Sequence, residues 1–525
     1  MGDDSIRYKS AHGRLQRVII PVFTILLAFG LLRHPYVLAS DCIQPEKFDS
    51  SRLYAQDTDD SEDSWDYDED WDLESDFSVA DTEPELTWRI EAAFENFFNT
   101  NRELHFEDAY KKQEVSARVD VKYGTGERYL KSITDLYFFP TFINEDVGDD
   151  YPYSRESRTH RNLRISSKSS EIIFRELYYN WLFDKCRLRI GNQVYPWGTA
   201  DFLNSTSYLN PSDLRELILK DEADIRLGVP SVSAMLFFPE FTAEFVFVPV
   251  HTAVAMPSTN HFWAVQEVEG QYPVYFDDPD PMHANSENFG YAARVSSTWR
   301  GMDFSVSGYH GPDNDQLMVP LRSVLVPDRS VGVMIEPRYA VVDYVGADFS
   351  MTYEDFAFNA EVAYSPNKRG VIAQNTDLPQ DLEFPYDTER ADYLSYSLGV
   401  NYFIPMHKLL SGHAGDSLFT MEWYQATYFE DKFDDPQITD LLSFQFQDSY
   451  FDKRVKVWLA TVLETRRGGV IFWPKLGYDF RNGFEAEIGY VGINGSGEGD
   501  YDEDSLFYYY RDNDVIMVNF TYAFP

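Results

Sequence analysis

Residues 291–313 read YAARVSSTWRGMDFSVSGYHGPD. Tyr291, Ala293, Val295 and Trp299 alternate with Arg294, Ser296 and Thr298; beyond Arg300-Gly301, Met302, Phe304 and Val306 alternate with Asp303, Ser305 and Ser307. A period of two puts successive side chains on opposite faces, so each run predicts a strand with one apolar and one polar face. The two-residue link between them predicts a hairpin.

The same alternation returns in LSYSLGVNYFI (394–404), RVKVWLATVL (454–463), FEAEIGY (484–490) and VIMVNFTYAF (515–524). Some links are very short, as at Arg300-Gly301 and Arg481-Asn482-Gly483; others are long and acidic, as at Asp277 to Ser286 and Gly495 to Asp504. Short turns at one end and long polar loops at the other are the pattern of an outer-membrane barrel, whose sheet must close because lipid tolerates no free strand edge. Aromatics collect near strand ends (Tyr178, Tyr179, Trp181 and Phe183; Trp423 and Tyr424; Phe472 and Trp473; Tyr508 to Tyr510), where an interfacial girdle needs them. The expected fold is therefore all-β: a transmembrane antiparallel barrel over 85–525. Its length implies roughly 16 strands, between about 14 and 18, with a lumen inside.

Composition agrees. Aromatics are 16% of the 525 residues, and 87 acids against 45 bases leave a net charge of −42, which repels nucleic acid. One sustained apolar run, Val18 to Leu32, follows Arg14 and Arg17 and precedes Val37-Leu38-Ala39, so 1–39 reads as a signal peptide cut after Ala39. Residues 40–84 contain DTDDSEDSWDYDEDWDLESD (57–76) and read as an acidic disordered linker. Asp68, Asp70 and Asp72 alternate as in a calcium loop, but Leu73 stands where glycine is needed and Val79 where the bidentate Glu belongs. Two cysteines, Cys42 and Cys186, leave open whether they pair.

The chain has no zinc-binding HExxH, no GxSxG elbow, no phosphate-binding loop and no CxxC, and neither cofactor nor metal is expected. His310, at the end of the quoted hairpin, is the one histidine that suggests a barrel-embedded hydrolase. Polar strand faces carry more. A charge on the lipid face costs about 2–4 kcal/mol for Arg or Lys near the midplane, so charged positions point inward. Glu176, Arg187, Arg189, Gln193, Arg294, Glu361, Glu422, Lys475, Glu485 and Glu487 are the expected pore-lining residues, where opposed charges select permeants.

Residues 194–216, VYPWGTADFLNSTSYLNPSDLRE, leave a strand for a long polar stretch. A helical signal at Ser212 to Leu219 follows Pro211. This segment is expected to fold into the lumen as a loop with a short helix, with Trp197, Asp201, Asn210, Asp213 and Arg215 as constriction residues.

The run RELYYNWLFDKCRLRIGNQVYPWGTADFLNSTSYLNPSDLRE (175–216), ADIRLGVPSV (223–232), the quoted hairpin and FYYYRDNDVIMVNFTYAF (507–524) resemble an uncharacterised group of Gram-negative outer-membrane proteins related in pattern to alginate-export-like porins. The resemblance implies a signal peptide, a large outer-membrane barrel and transport without enzymatic activity; it names no substrate. Such barrels end on an aromatic read by the assembly machinery, whereas here Pro525 follows Phe524. The expected function is a porin-like channel for uptake or export of small hydrophilic solutes or polysaccharide, surrounded by lipid and lipopolysaccharide, as a monomer or trimer. The alternatives are a closed surface barrel with adhesive or cation-bridging acidic loops, and the hydrolase.

Overall fold

A computed structural model describes residues 83–100, 110–138, 163–257 apart from 168, 218 and 221, 262–263, 274–276, 282–325, 331–372, 383–409, 413, 415–430, 432–433, 438–495, 505, 507–511 and 513–524. The expected signal peptide, nearly all of the acidic linker, and Cys42 lie outside them.

The strands are β1 (Glu85–Asn99), β2 (Tyr110–Gly124), β3 (Arg128–Phe138), β4 (Arg164–Ser166), β5 (Ser170–Phe183), β6 (Cys186–Gln193), β7 (Val229–Phe237), β8 (Thr242–Val248), β9 (Val274–Phe276), β10 (Gly290–Trp299) and β11 (Met302–Pro312). They continue as β12 (Leu317–Leu325), β13 (Val331–Arg338), β14 (Val341–Tyr353), β15 (Phe356–Val371), β16 (Thr388–Ile404), β17 (Ser417–Tyr428), β18 (Ile438–Tyr450), β19 (Val455–Glu464), β20 (Gly469–Asp479), β21 (Phe484–Asn494) and β22 (Val515–Phe524).

Eighteen of them, all but β4, β9, β12 and β13, pair antiparallel in chain order, and the ring shuts where β22 meets β1, from Ile90↔Phe524 to Asn99↔Val515. The ring size sits at the top of the range expected from length. The quoted hairpin is β10–β11, in register from Tyr291↔His310 to Trp299↔Met302. Its turn places Arg300 and Gly301 at φ 55° and 77°, as a two-residue turn matched to strand twist requires.

Faces divide as the alternation predicts. Phe304 and Val306 are 42% and 41% exposed, whereas Ser305 and Ser307 are 2% exposed. Outward positions carry Trp88, Leu130, Ile190, Phe245, Leu398 and Ile488, while buried Asp120, Asp348, Glu361, Glu422 and Asp448 point inward. This is a soluble protein's distribution turned inside out. Among the aromatics expected at the girdle, Trp181, Trp423 and Phe472 face outward, but Tyr178 and Trp473 are buried. A run of neighbouring aromatics on a strand must send alternate rings to opposite faces.

Connections differ between the two ends. At one end lie tight turns, including 125–127, 300–301, 354–355 and 480–483; at the other, 194–228, 249–289 and 313–340 connect strands. The three-stranded sheet of β9, β12 and β13 belongs to this long-loop end.

Candidate functional site

The segment between β6 and β7, residues 194–228, forms the site. Asn210 fastens its base: the side-chain oxygen accepts from the Tyr195 backbone N–H at 2.7 Å, and the amide donates to the carbonyls of Gln193 and Leu227 at 3.1 and 2.8 Å. One short side chain thus joins the outgoing and returning chain.

The first half reaches two inward carboxylates. Glu361 of β15 accepts from the backbone N–H groups of Thr199, Ala200, Ser205 and Thr206 at 2.5, 2.7, 2.6 and 2.9 Å, and from the Thr206 hydroxyl at 3.2 Å. Glu422 of β17 accepts from the N–H groups of Asp201, Phe202 and Leu203 at 2.6, 2.9 and 3.1 Å. Backbone donors in a non-helical segment need acceptors, and charged acceptors make the stronger bonds. Asn401 donates to Asp201 at 2.7 Å, and Ser397 donates to the Leu203 carbonyl. Trp197, 2% exposed, donates its indole N–H to Glu244 at 3.0 Å and meets Tyr208 edge-on; Tyr208 stacks on Tyr344 with centroids 5.2 Å apart. Burial raises the Tyr195 and Tyr208 phenols well above their ordinary value.

The second half docks on the opposite wall through ion pairs. Arg215 holds Asp213 in a two-point contact at 2.7 Å each and reaches Glu171 of β5 at 2.8 Å, where Arg164 binds the other oxygen at 3.0 Å. Lys112 of β2 pairs with Glu216 at 2.8 Å. Arg175 donates to the carbonyls of Asp224 and Arg226 at 2.9 and 2.8 Å while pairing with Asp135. Each of these charges has a partner, the condition under which burial is tolerable.

The helix expected over Ser212 to Leu219 is displaced: α1 spans only Glu222–Ile225. Over the expected helix, backbone donors go to distant partners, Asp213 N–H to Ile225 and Leu214 N–H to Ala255, and Leu217 turns left-handed at φ 54°. Ion-pair geometry at Asp213 and Arg215 outweighs helix propensity there.

Round the ring, β17 is nine strands from β5 in either direction, so the anchors at Glu422 and Glu171 face each other across a diameter. Residues 194–228 are a strap spanning the lumen. An apolar cluster flanks each side: Tyr195, Trp197, Tyr208 and Leu209 with Val246, Val342 and Tyr344, and Leu219 with Phe262, Trp263, Ile471, Trp473, Val491 and Met517.

The ten inward candidates fall into three groups. Glu176, Gln193, Arg294, Glu361 and Glu422 are bonded to the strap or its flanks: Glu176 accepts from the Val194 N–H at 3.1 Å, Gln193 donates to the Ser231 hydroxyl at 3.0 Å, and Arg294 pairs with Asp348 at 3.1 Å. Lys475, Glu485 and Glu487 lie together further toward the short-turn end: Lys475 is 3.9 Å from Glu487, and Lys456 pairs with Glu485 at 2.8 Å. Arg187 and Arg189 are half-buried on β6, with Arg189 over the Tyr178 ring at 4.8 Å. His310 lies on the outward parity at a strand end, half exposed, 2.7 Å from Asp343. Sequence reasoning missed Tyr208, Glu244 and Asp348; Asp348 was accessible from the alternation of β14, but no local signal marks Tyr208.

Beside the strap, at the long-loop end, the Asp313–Asp315 loop meets β15. Lys368 donates to Asp313 at 2.9 Å, Asp315 at 2.6 Å and the Tyr344 hydroxyl at 2.9 Å. Burial raises the Asp313 carboxyl, while the Lys368 ammonium lowers that of Asp315. No group of three or more His, Cys, Asp or Glu suited to a metal occurs among the described residues.

Similar folds occur among solved outer-membrane proteins. OccAB1 of Acinetobacter baumannii is 9% identical with TM-score 0.45, covering 86% of this chain and 99% of its own. Pseudomonas aeruginosa OpdK with vanillate is 8% identical with TM-score 0.44, covering 84% and 98%. OmpT of Vibrio cholerae, in its trimer form, is 10% identical with TM-score 0.37, covering 84% and 99%. The likeness to alginate-export-like porins finds no support among these comparisons. No curated protein matches the chain. A family profile covers residues 55–524, and the chain belongs to that family, described as "Protein of unknown function (DUF1302)".

Proposed function

We propose that this protein is a passive outer-membrane channel of a Gram-negative bacterium, carrying small hydrophilic solutes or polysaccharide past an internal strap. The observation that carries the reading is the inverted barrel: apolar Phe304 and Val306 outside, Ser305 and Ser307 inside, repeated round a ring with no free edge. In water so much outward apolar surface would aggregate, whereas a bilayer solvates it. A secretory leader over 1–39 and an acidic linker over 40–84 suit export and attachment at the short-turn end, where β1 begins. Lipid and lipopolysaccharide would cover the outward face, the assembly machinery would engage β22, and the assembled form would be a monomer or trimer.

Lys475, Glu485 and Glu487 would line the open path, while the strap, with Trp197, Asp201, Asn210, Asp213 and Arg215 holding it, would narrow it. The test is single-channel recording in planar bilayers. Deleting Thr199 to Tyr208 removes the span held by Glu361 and Glu422 and should raise conductance severalfold. A folded protein giving no current steps would refute the open channel; an unchanged conductance in the deletion would refute the constriction.

A further inference from the structure

A cavity of about 180 Å³ opens at the long-loop end, between the Asp313–Leu317 loop and the wall of β15 to β18. Lys368, Tyr393, Tyr428 and Thr439 form the wall side, and Asp315 and Gln316 the loop side. We propose that it is a binding subsite for a neutral polyhydroxylated solute the size of one sugar ring, which rests on the channel reading in taking that solute as a permeant.

Size sets the first limit. An engineered cavity of about 150 Å³ accepts benzene, so this one holds a six-membered ring with little to spare. Charge sets the second. Asp313, Asp315, Lys368 and Arg369 sum to zero, and all three Lys368 donors are engaged, by two carboxylates and the Tyr344 hydroxyl. Arg369 donates to Thr388 at 2.9 Å. With the four charges balanced, an anionic or cationic solute would lose its hydration without gaining a net opposite charge, which is costly.

Polarity sets the third. The Asp315 side chain stands 74% exposed at the rim and retains acceptor capacity beyond Lys368. Gln316 donates its amide to the Tyr339 hydroxyl at 2.6 Å, which leaves its carbonyl to accept. The Thr439 hydroxyl completes a lining suited to water. A solute that displaces water from a polar cavity must reproduce its hydrogen bonds, and a polyol does so with hydroxyls. Leu317, Ala340 and Ala426 add apolar surface for the C–H faces of a ring.

The experiment is equilibrium binding of D-glucose to the refolded full chain in detergent, with glucosamine and gluconate as the cationic and anionic comparators of similar size. Glucose should bind in the millimolar range typical of a transport subsite, and each charged analogue about tenfold more weakly. Leu317→Trp, which fills the cavity, should abolish binding, and Asp315→Ala, which leaves Lys368 its bonds to Asp313 and the Tyr344 hydroxyl, should weaken it severalfold. No glucose binding by folded protein, tighter binding of either charged analogue, or binding indifferent to both substitutions overturns the proposal. Because binding is read without current, a protein that binds glucose but does not conduct sinks the channel and keeps the subsite. A conducting protein that ignores glucose does the reverse.

Discussion

Two carboxylates, Glu361 and Glu422, gather the backbone N–H groups of the strap's first half. Glu361 alone receives four backbone N–H groups and a hydroxyl. Glu361→Gln keeps its shape but turns one acceptor atom into a donor facing N–H groups; losing charged hydrogen bonds costs about 1.5–3 kcal/mol each. Limited proteolysis should then cut within 199–206, which the parent protects, and equal protection in both would remove Glu361 from the role of latch. Nothing in the sequence separates Glu361 from Glu487. Parity sends both inward, but whether an inward carboxylate meets water or a folded-back backbone depends on a segment more than 150 residues away. The cavity beside Lys368 was hidden for the same reason. Tyr339 offers a check by pH: burial pushes its phenol up from 10.0 to about 12. A raised tyrosine favours the neutral form in the fold, so its contribution is fully present below pH 10 and is lost as pH rises through about 12. Ultraviolet titration of Tyr339→Phe should show one tyrosinate fewer near pH 12 than the parent, and an unchanged curve there would remove Tyr339 from that role.

Strands were the most legible elements, because one periodicity encodes both their existence and their facing. The quoted hairpin paired as read, down to its two-residue turn. Facing has a measurable energy. Val306→Arg places a charge on the outward face of β11 near mid-strand and should cost about 2–4 kcal/mol of folding in lipid vesicles, whereas Asn519→Arg, on the inward face of β22 beside Glu487, should cost less. Equal penalties would contradict the assignment of faces. The short helix was the element least legible. Pro211 and Asp213 supply a plausible start, but Arg215 spends Asp213 on an ion pair with Glu171 beyond it, and the backbone follows the pair.

At the scale of the whole molecule, chain length brackets the ring without fixing it, and eighteen strands fall at the top of the expected range, since the ring's strands run from the 7 residues of β8 to the 17 of β16 and the long loops take a variable share. Closure itself was foreseeable, because lipid forbids an edge; the diametric path of the strap was not, since it follows from ion pairs and carboxylates on strands distant in sequence. That path has a mechanical side. A thin hoop deforms most easily by going oval, with one width lengthening as the other shortens. A tie bolted to facing walls by salt bridges at one end and charged hydrogen bonds at the other stiffens the hoop against that mode, so the segment that narrows the passage also holds the cross-section round against the sideways pressure of the surrounding lipid.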